Sequence, residues 1–308
     1  MMSPHQTTAN PPRVAVIGGG AIGGVVAAAA QRAGLAVTLC VRTPIPALSL
    51  ERAGQIRTVP LTIASDPATL PVADWVLLAT KAQDSAGAGP WLSHLVGHGT
   101  TVVVLQNGVE HEDRVRPLVG EAPIIPAVVY IAAERVGPGH IVHHLGNQII
   151  VPRTEAAATF ATLLAGGELD ITLVDDFVTA AWRKLLSNVA ANPLTALTLR
   201  RVEVLHDPAI HDLARGLLQE AVTVGRSVGA DLSAQDIDDV LALYARYDVG
   251  GTSMLYDRLA GRPLEHDHLT GTIVRTAARR SIPVPLNQAM LALLQAVNTA
   301  PPTGTPAR

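Results

Sequence analysis

The residue types best suited to chemistry are a lysine and two asparagines spaced four apart, Lys184, Asn188 and Asn192. On an α-helix this spacing places all three side chains on one face. The other residues of the segment 182–194 are mostly apolar, which predicts a buried helix, and a buried lysine is costly unless it is paired or used. Burial also lowers the pKa of a lysine toward the range of a general acid. The stripe therefore predicts a proton donor, and a solvated stripe on a partly exposed helix is the alternative.

A second feature is a glycine turn near the start of the chain. A short apolar run ends in G-x-G-x-x-G spacing, formed by Gly18, Gly20 and Gly23, and opens into an alanine-rich stretch. In such a strand–turn–helix unit the glycines permit the turn, the approach of backbone to a pyrophosphate, and close packing of helix on strand. The first N–H groups of the helix, around Ala21 and Ile22, then face the anion. The pattern predicts dinucleotide binding.

The type of cofactor is indicated by the end of the next strand, residues 36–41, which is followed by Arg42. A site that prefers NAD needs a carboxylate near this point to accept a hydrogen bond from the ribose 2′-hydroxyl. Glu51 comes too late in the chain for that role. Because a guanidinium can bind a 2′-phosphate through two hydrogen bonds, we predict NADPH, with a solvated arginine as the alternative.

Polar side chains follow two further strands. Residues 74–80 and 101–105 are nearly continuous apolar runs, typical of strands buried on both faces of a parallel sheet. Lys81 follows the first run, and Asn107 lies two residues beyond the second. Since ligands bind beyond the carboxyl ends of parallel strands, both side chains are predicted to lie near the bound nucleotide.

The chain changes character after Asp176. Before it, strands and helices alternate; after it, the periodicity is helical almost throughout. We therefore predict an α/β fold, with an N-terminal Rossmann-type parallel-sheet domain over 12–175 that binds NADP, and a C-terminal all-helical domain over 176–300. A cleft between two such domains is a favoured place for a substrate. Residues 1–11 and 301–308 are predicted to be disordered tails.

The predicted elements are as follows. Further strands are predicted at 55–64 (interrupted by Pro60), 124–132, 139–143, 148–151 and 169–174. Helices are predicted at 84–96, 155–164, 177–198, 208–228, 234–247, 253–260, 265–280 and 286–297.

Composition narrows the classes of partner. Only 16% of the residues are charged, which is below the usual quarter and leaves open a homodimer that covers part of the surface. The formal charge of −3 gives no reason to expect nucleic acid or a membrane as partner. The single cysteine, Cys40, and the lack of a signal-peptide pattern are typical of a cytoplasmic protein. No histidine or cysteine spacing predicts a metal site.

Taken together, these motifs resemble the 2-dehydropantoate 2-reductase (ketopantoate reductase) family. The resemblance extends from Arg13 to about Leu291. It rests on the glycine turn with Arg42, Thr80-Lys81-Ala82, Asn107-Gly108, Trp182-Arg183-Lys184-Leu185 with Asn188 and Asn192-Pro193-Leu194-Thr195-Ala196, Ser253-Met254, and Glu265 with Asp267.

The resemblance implies an NADPH-dependent enzyme that reduces a 2-keto acid to the 2-hydroxy acid in the pathway to pantothenate. It implies that Lys184 donates the proton to the substrate ketone. Glu265 would bind or orient the substrate, and it could pair with the Lys184 ammonium or accept a hydrogen bond from a substrate hydroxyl. Asn107 would lie near the nicotinamide and the substrate.

The same resemblance implies the binding residues. Asn188 and Ser253 would contact the substrate, and Asn192 is placed with them because it continues the polar stripe. Arg42 and Lys81 would hold the 2′-phosphate and the adenosine end of the cofactor.

Two simpler roles stay open at this point. Glu265 could be an acid favoured by the dipole of a helix N-terminus. Ser253 could be the N-cap of the helix that follows it.

The chain also departs from the family pattern. Characterised members offer further asparagines to the substrate within the stretches that correspond to residues 199–203 and 249–251 of this chain, which contain none, and at the position of Thr270. The hydride chemistry is therefore better supported than the identity of the keto acid. Two other functions stay open: a β-hydroxyacid dehydrogenase-like oxidoreductase that acts on another small acid, and a non-catalytic NADPH-sensing protein.

Overall fold

The structure is a computed structural model that describes residues 11–246 and 250–299. The described residues form two compact units. The first unit contains the chain up to Thr80, Asp84–Gln106 and His111–Asp175, and the second contains Lys81–Gln83, Asn107–Glu110 and the chain from Asp176 onward. The predicted disordered tails, 1–11 and 301–308, lie outside the described residues except for Pro11.

The first unit is built on a six-stranded parallel sheet in the order β5-β2-β1-β6-β7-β8. Its strands are β1 (Arg13–Ile17), β2 (Ala36–Cys40), β5 (Thr62–Ala64), β6 (Trp75–Leu78), β7 (Thr101–Val104) and β8 (Ile124–Pro126). The chain moves outward from β1 in one direction and then, from β6, in the other, which is the strand order of a dinucleotide-binding sheet. Ile17 pairs with both Cys40 and Leu78, so β1, β2 and β6 end at the same edge of the sheet.

A second, mixed sheet completes this unit. It contains β3 (Leu48–Arg52), β4 (Gln55–Val59), β9 (Val128–Gly137), β10 (His140–Pro152) and β11 (Asp170–Val174). Its order is β11-β10-β3-β4, and β9 pairs with β10. The predicted strand 55–64 is two strands in different sheets, because Pro60 cannot donate to a ladder. The predicted strands 139–143 and 148–151 are one strand that continues through irregularities in its register.

The first unit contains four α-helices among the described residues, and the two that were predicted with bounds, 84–96 and 155–164, are shorter than predicted. The four helices are α1 (Ala21–Arg32), α2 (Gly89–Leu95), α3 (His111–Val119) and α4 (Glu155–Leu163). The predicted helix 84–96 becomes α-helical only at Gly89, and the residues before it form two 3₁₀ turns, since glycine disfavours the helix interior. The sequence did not predict α3, which carries Pro117 in its interior and has little apolar content.

The second unit is helical, as predicted. Its helices are α5 (Phe177–Thr198), α6 (Pro208–Ser227), α7 (Ala234–Arg246), α8 (Ser253–Leu259), α9 (Thr270–Arg279) and α10 (Pro285–Thr299). The Asp176 side chain caps α5 by accepting from the Thr179 N–H at 2.9 Å, and Leu199 ends the helix in a left-handed conformation. The predicted helix 265–280 starts with a 3₁₀ turn, Glu265–His268, before α9 begins. The predicted fold class, a Rossmann-type sheet followed by a helical part, is confirmed.

Candidate functional site

The glycine turn after β1 has the geometry that phosphate binding requires. Gly18 has a φ of +114°, and its N–H donates to the Cys40 carbonyl at 3.0 Å. A Cβ at Gly23 would collide with the carbonyl oxygen of Gly18, so only glycine lets α1 pack this closely. At Gly20, by contrast, no described atom lies within 4 Å of the position that a Cβ would take. The open face of Gly20 and the N–H groups at the start of α1 suit a pyrophosphate.

The side chain predicted to select the cofactor is accessible. Arg42 lies two residues beyond the end of β2, and its side chain is exposed. Its guanidinium makes no ion pair with any residue that the structure describes. Glu51 lies in β3 and contacts the His140 ring at 3.0 Å. The residues present therefore fit a nucleotide with a 2′-phosphate.

In the second unit, Glu265 is the centre of a buried polar cluster. Its side chain is only 4% exposed. One carboxylate oxygen accepts from the Ala82 N–H at 3.0 Å. The other accepts from the Lys81 ammonium at 3.1 Å and from the Asn107 amide at 3.3 Å. Three predicted site residues, Lys81, Asn107 and Glu265, are thus in direct contact.

A second buried carboxylate, Asp257, completes this cluster. It lies in α8 and is 3% exposed. Its two oxygens accept from the Lys81 ammonium at 2.8 Å and from Arg262 Nε at 2.9 Å. Asp257 was not among the predicted site residues, because an acid in a short polar helix gives no signal of its own. The observation that could have identified it is the need of Lys81 for a second counter-charge.

A cation in contact with Glu265 is Lys81. The sequence allowed Glu265 to pair with Lys184, which stays a prediction, and the carboxylate also accepts from Ala82 and Asn107. Lys81 was predicted, with Arg42, to hold the 2′-phosphate and the adenosine end of the cofactor, and its ammonium lies between two carboxylates. The physical reason is that two buried carboxylates require a cation, and Lys81 meets both. A contact of Lys81 with the cofactor stays a prediction.

The cluster shifts the pKa values of its members. Burial alone would raise the pKa of the Glu265 carboxyl, but the Lys81 ammonium and the hydrogen bonds from Ala82 and Asn107 outweigh it and hold that pKa below 4.5. Burial alone would lower the pKa of Lys81, but Glu265 and Asp257 outweigh it and raise that pKa. Both groups are therefore charged at neutral pH.

Helix α5 carries the predicted polar stripe. Its apolar residues Leu185, Leu186 and Val189 are buried in the core of the helical unit, which confirms the predicted burial of this helix. Lys184 and Asn188 are partly buried and Asn192 is 4% exposed. The stripe is therefore not a solvated surface.

The chemistry of the stripe follows from its burial. Desolvation lowers the pKa of Lys184 to about 8, close to the range of a useful general acid. The amide nitrogens of Asn188 and Asn192 are buried and have no hydrogen-bond partner among the described residues. Unpaired buried amides are costly, and the two N–H groups have the chemistry to donate to a polar ligand.

Ser253 is the first residue of α8 and is exposed. The N-cap of this helix is Thr252, whose hydroxyl accepts from the Leu255 N–H at 3.1 Å and contacts the Thr195 hydroxyl at 2.7 Å. The capping role considered for Ser253 is therefore wrong, because the neighbouring threonine fills it. The hydroxyl of Ser253 is therefore not used as the N-cap of α8.

Across the described ranges, no group of three or more histidine, cysteine, aspartate or glutamate side chains could hold a metal ion. None of the helices in the described part of the chain combines the length and apolarity needed to cross a membrane.

Two models of one protein family match most of the chain. The family model for ketopantoate reductase PanE/ApbA matches residues 14–155, and the model for the C-terminal part of the same family matches residues 176–298. Together these matches include the glycine turn and Lys184.

Individual relatives agree along nearly the whole chain. A 2-dehydropantoate 2-reductase from Caulobacter vibrioides is 43% identical over 289 residues, covering 92% of this chain and 98% of the relative. The crystal structure of a 2-dehydropantoate 2-reductase from Geobacter metallireducens GS-15 matches with a TM-score of 0.87 at 28% identity, covering 92% of this chain and 99% of that one. A dimeric ketopantoate reductase from Staphylococcus aureus matches with a TM-score of 0.85 at 26% identity, covering 93% and 98%.

Proposed function

The chain belongs to the ketopantoate reductase family, a family of oxidoreductases, and from this premise we propose that it reduces 2-dehydropantoate to pantoate with NADPH. The observation that carries the proposal is the partly buried Lys184, whose lowered pKa and neighbouring unpaired asparagine amides suit the reduction of a ketone. A protein that only senses NADPH would have no need of this costly group.

The cofactor would be held by residues of the first unit. The backbone N–H groups around Gly20, Ala21 and Ile22 would bind the pyrophosphate, and Arg42 would bind the 2′-phosphate. Gly18 and Gly23 would keep the turn tight enough for this. When bound, NADPH supplies the hydride.

Lys184 would supply the proton. As the ketone carbon becomes tetrahedral, negative charge develops on its oxygen, and a proton donor about 3 Å away stabilises that charge. The Lys184 ammonium would form the new O–H bond and break its own N–H bond, which leaves a neutral amine. A pKa of about 8 makes this transfer easier than from an ordinary lysine while keeping most of the side chain protonated at neutral pH.

The substrate would be oriented by neighbouring polar groups. The unpaired amide N–H groups of Asn188 and Asn192 would donate to the oxygens of the keto acid. Ser253 would offer its exposed hydroxyl. The carboxylate of Glu265, fixed by Lys81 and Asn107, would accept a hydrogen bond from a substrate hydroxyl.

Two positions bear on the identity of the keto acid. A side chain at Gly250 would meet no described atom within 4 Å, so the missing asparagine leaves open space there. The Thr270 hydroxyl is buried and has no partner within the described part of the chain. We therefore propose a 2-keto acid reductase, with 2-dehydropantoate as the first substrate to test.

We also propose that the protein is a homodimer, and a dimeric relative supports this assembly.

The direct test is the oxidation of NADPH, followed by its absorbance, against a panel of branched and unbranched 2-keto acids. We expect kcat/KM to be highest for 2-dehydropantoate and at least about tenfold lower for acids without its hydroxyl, since an unpaired buried partner costs more than 1 kcal/mol. If kcat/KM is higher for another keto acid, that acid replaces 2-dehydropantoate as the assigned substrate. If none of the keto acids is turned over, the proposal that the protein is a 2-keto acid reductase is overturned.

Arg42→Ala tests the cofactor assignment. We expect the Kd for NADPH to rise about 10- to 100-fold, because a charge-assisted pair with the 2′-phosphate is lost, and the Kd for NADH to stay within about twofold. Fluorescence titration of both nucleotides measures this. The matched control is Arg57→Ala, which removes an exposed arginine of β4 and should change neither Kd. Equal weakening of both nucleotides by Arg42→Ala would contradict the assignment.

A further inference from the structure

Gln106 is a buried polar residue that the proposed chemistry does not use. It follows β7 and its side chain lies within the first unit, 4% exposed. Its amide nitrogen donates to the hydroxyls of Thr80 and Ser85, each at 2.9 Å. Its amide oxygen accepts from Arg114 Nε at 2.9 Å, and its backbone carbonyl accepts from the His111 ring at 2.9 Å.

The hydrogen-bond partners of Gln106 lie beside two short loops of the chain. Two short loops, Lys81–Gln83 and Asn107–Glu110, belong to the second unit although the residues on both sides of them belong to the first. Thr80 precedes the first loop and Ser85 follows it closely. Gln106 precedes the second loop and His111 follows it. One residue thus joins the bases of both loops by hydrogen bonds.

The two loops carry groups of the Glu265 cluster. Lys81 and Ala82 of the first loop and Asn107 of the second all donate to the Glu265 carboxylate. At the end of the second loop, Glu110 accepts from Arg275 at 2.7 Å. Gln106 therefore fixes residues that flank each loop, and residues within each loop are fixed by their contacts with Glu265.

His111 makes this arrangement insensitive to pH near neutrality. Burial, with a smaller effect of Arg114, lowers the pKa of the His111 ring to about 4. The ring is therefore neutral at pH 7 and has one N–H. Since a carbonyl only accepts, Nε2 carries that proton and donates it to the Gln106 carbonyl.

We propose that Gln106 is a positioning residue for the reduction. It fixes the points at which the chain enters both loops, and it acts through Lys81 and Asn107, which hold Glu265 in the orientation that the substrate needs. The expected loss of kcat/KM rests on the proposed function, whereas the role of Gln106 in fixing the two loops does not. If Gln106 served only the stability of the sheet, its loss would weaken the fold without altering the loops selectively.

The test is Gln106→Met, which keeps the length of the side chain and removes all of its amide hydrogen bonds. A matched control is Thr100→Val. Thr100 is 1% exposed at the opposite end of the same strand, where its hydroxyl donates to the Ala73 carbonyl at 2.7 Å and accepts from the Gly97 N–H at 2.9 Å. Both variants lose a buried polar anchor of β7, but only Gln106→Met releases the loops.

Two measurements distinguish the roles. The two variants are compared at temperatures equally far below their own melting temperatures. Under these conditions, hydrogen exchange in peptides that contain residues 81–83 and 107–110 should be faster in Gln106→Met than in Thr100→Val. The kcat/KM for the keto acid should fall about 100-fold in Gln106→Met alone, because small displacements of positioned groups cost that much. The Kd for NADPH should rise less in Gln106→Met than in Arg42→Ala, because the glycine turn and Arg42 are untouched and only the predicted contacts of Lys81 and Asn107 with the cofactor are displaced.

The outcomes separate the two proposals. Unaltered loop exchange in Gln106→Met, or equal kinetic losses in both variants, would overturn the positioning role. If the wild-type protein reduces no keto acid, the proposed function fails, and the exchange measurement still decides the role of Gln106. If Gln106→Met does not fold, Ser85→Ala removes one of the bonds, and unchanged exchange of 81–83 in that variant counts against the proposal.

Discussion

Replacing Lys184 with alanine is expected to lower kcat for the keto acid by about 10²- to 10⁴-fold, the usual contribution of a general acid. The Kd for NADPH should change little, because Lys184 lies in α5 of the second unit, whereas the glycine turn and Arg42, which are assigned to the cofactor, lie in the first. Steady-state kinetics and fluorescence titration of the same preparations measure the two quantities. An equal loss of NADPH affinity would mean that Lys184 serves binding, and an unchanged kcat would remove it from the mechanism.

The pH profile gives this experiment an independent readout. The reaction requires protonated Lys184, so kcat/KM should be constant below about pH 7 and should fall as the pH rises through the lowered pKa of about 8. This alkaline decline should be absent from the residual activity of Lys184→Ala. The matched control is Arg183→Ala, which removes the adjacent exposed cation paired with Asp236 and should retain both the rate and the decline.

Glu265→Gln is expected to weaken both activity and stability. The variant keeps the shape of the side chain but removes one of the two carboxylates, Asp257 and Glu265, that contact the Lys81 ammonium. Breaking a buried ion pair from one side costs about 3 kcal/mol, and we expect the free energy of unfolding at neutral pH to fall by that amount. We expect kcat/KM to fall about 100-fold, since the carboxylate also binds the substrate in the proposed function. Urea unfolding and steady-state kinetics measure the two effects.

The stability effect has a defined pH dependence. The folded state holds the pKa of Glu265 below 4.5, so its contribution is present above pH 4.5 and is lost as the pH falls through the folded pKa. The difference between wild type and Glu265→Gln should therefore shrink in acid. Glu112→Gln, which removes an exposed carboxylate paired with Arg116, should cost less than about 0.5 kcal/mol at any pH. A pH-independent difference for Glu265→Gln would show that the carboxylate is not ionised in the fold.

Local patterns of the sequence were sufficient for several parts of this protein. The helix from Phe177 to Thr198 was predicted with its limits, because its helical periodicity is a local property of the segment after Asp176. The glycine turn was predicted for the same reason, since each glycine meets a steric demand of its immediate neighbours. Elements that depend on distant partners were less well predicted. The strand β3 has no distinctive pattern and is defined by its pairing with β4 and β10.

By itself, the sequence determined the glycine turn, the helical second half and the lysine–asparagine stripe of α5. These features follow from spacings of two to eight residues, over which the backbone geometry of a strand or helix fixes where side chains lie. Only the tertiary structure decided the partners of the charged groups. Lys81 meets Asp257 and Glu265 across 176 and 184 residues, and Gln106 meets Thr80 across 26. Such pairs form because a buried charge or amide takes the partner that folding brings to it, and no local pattern specifies that partner in advance.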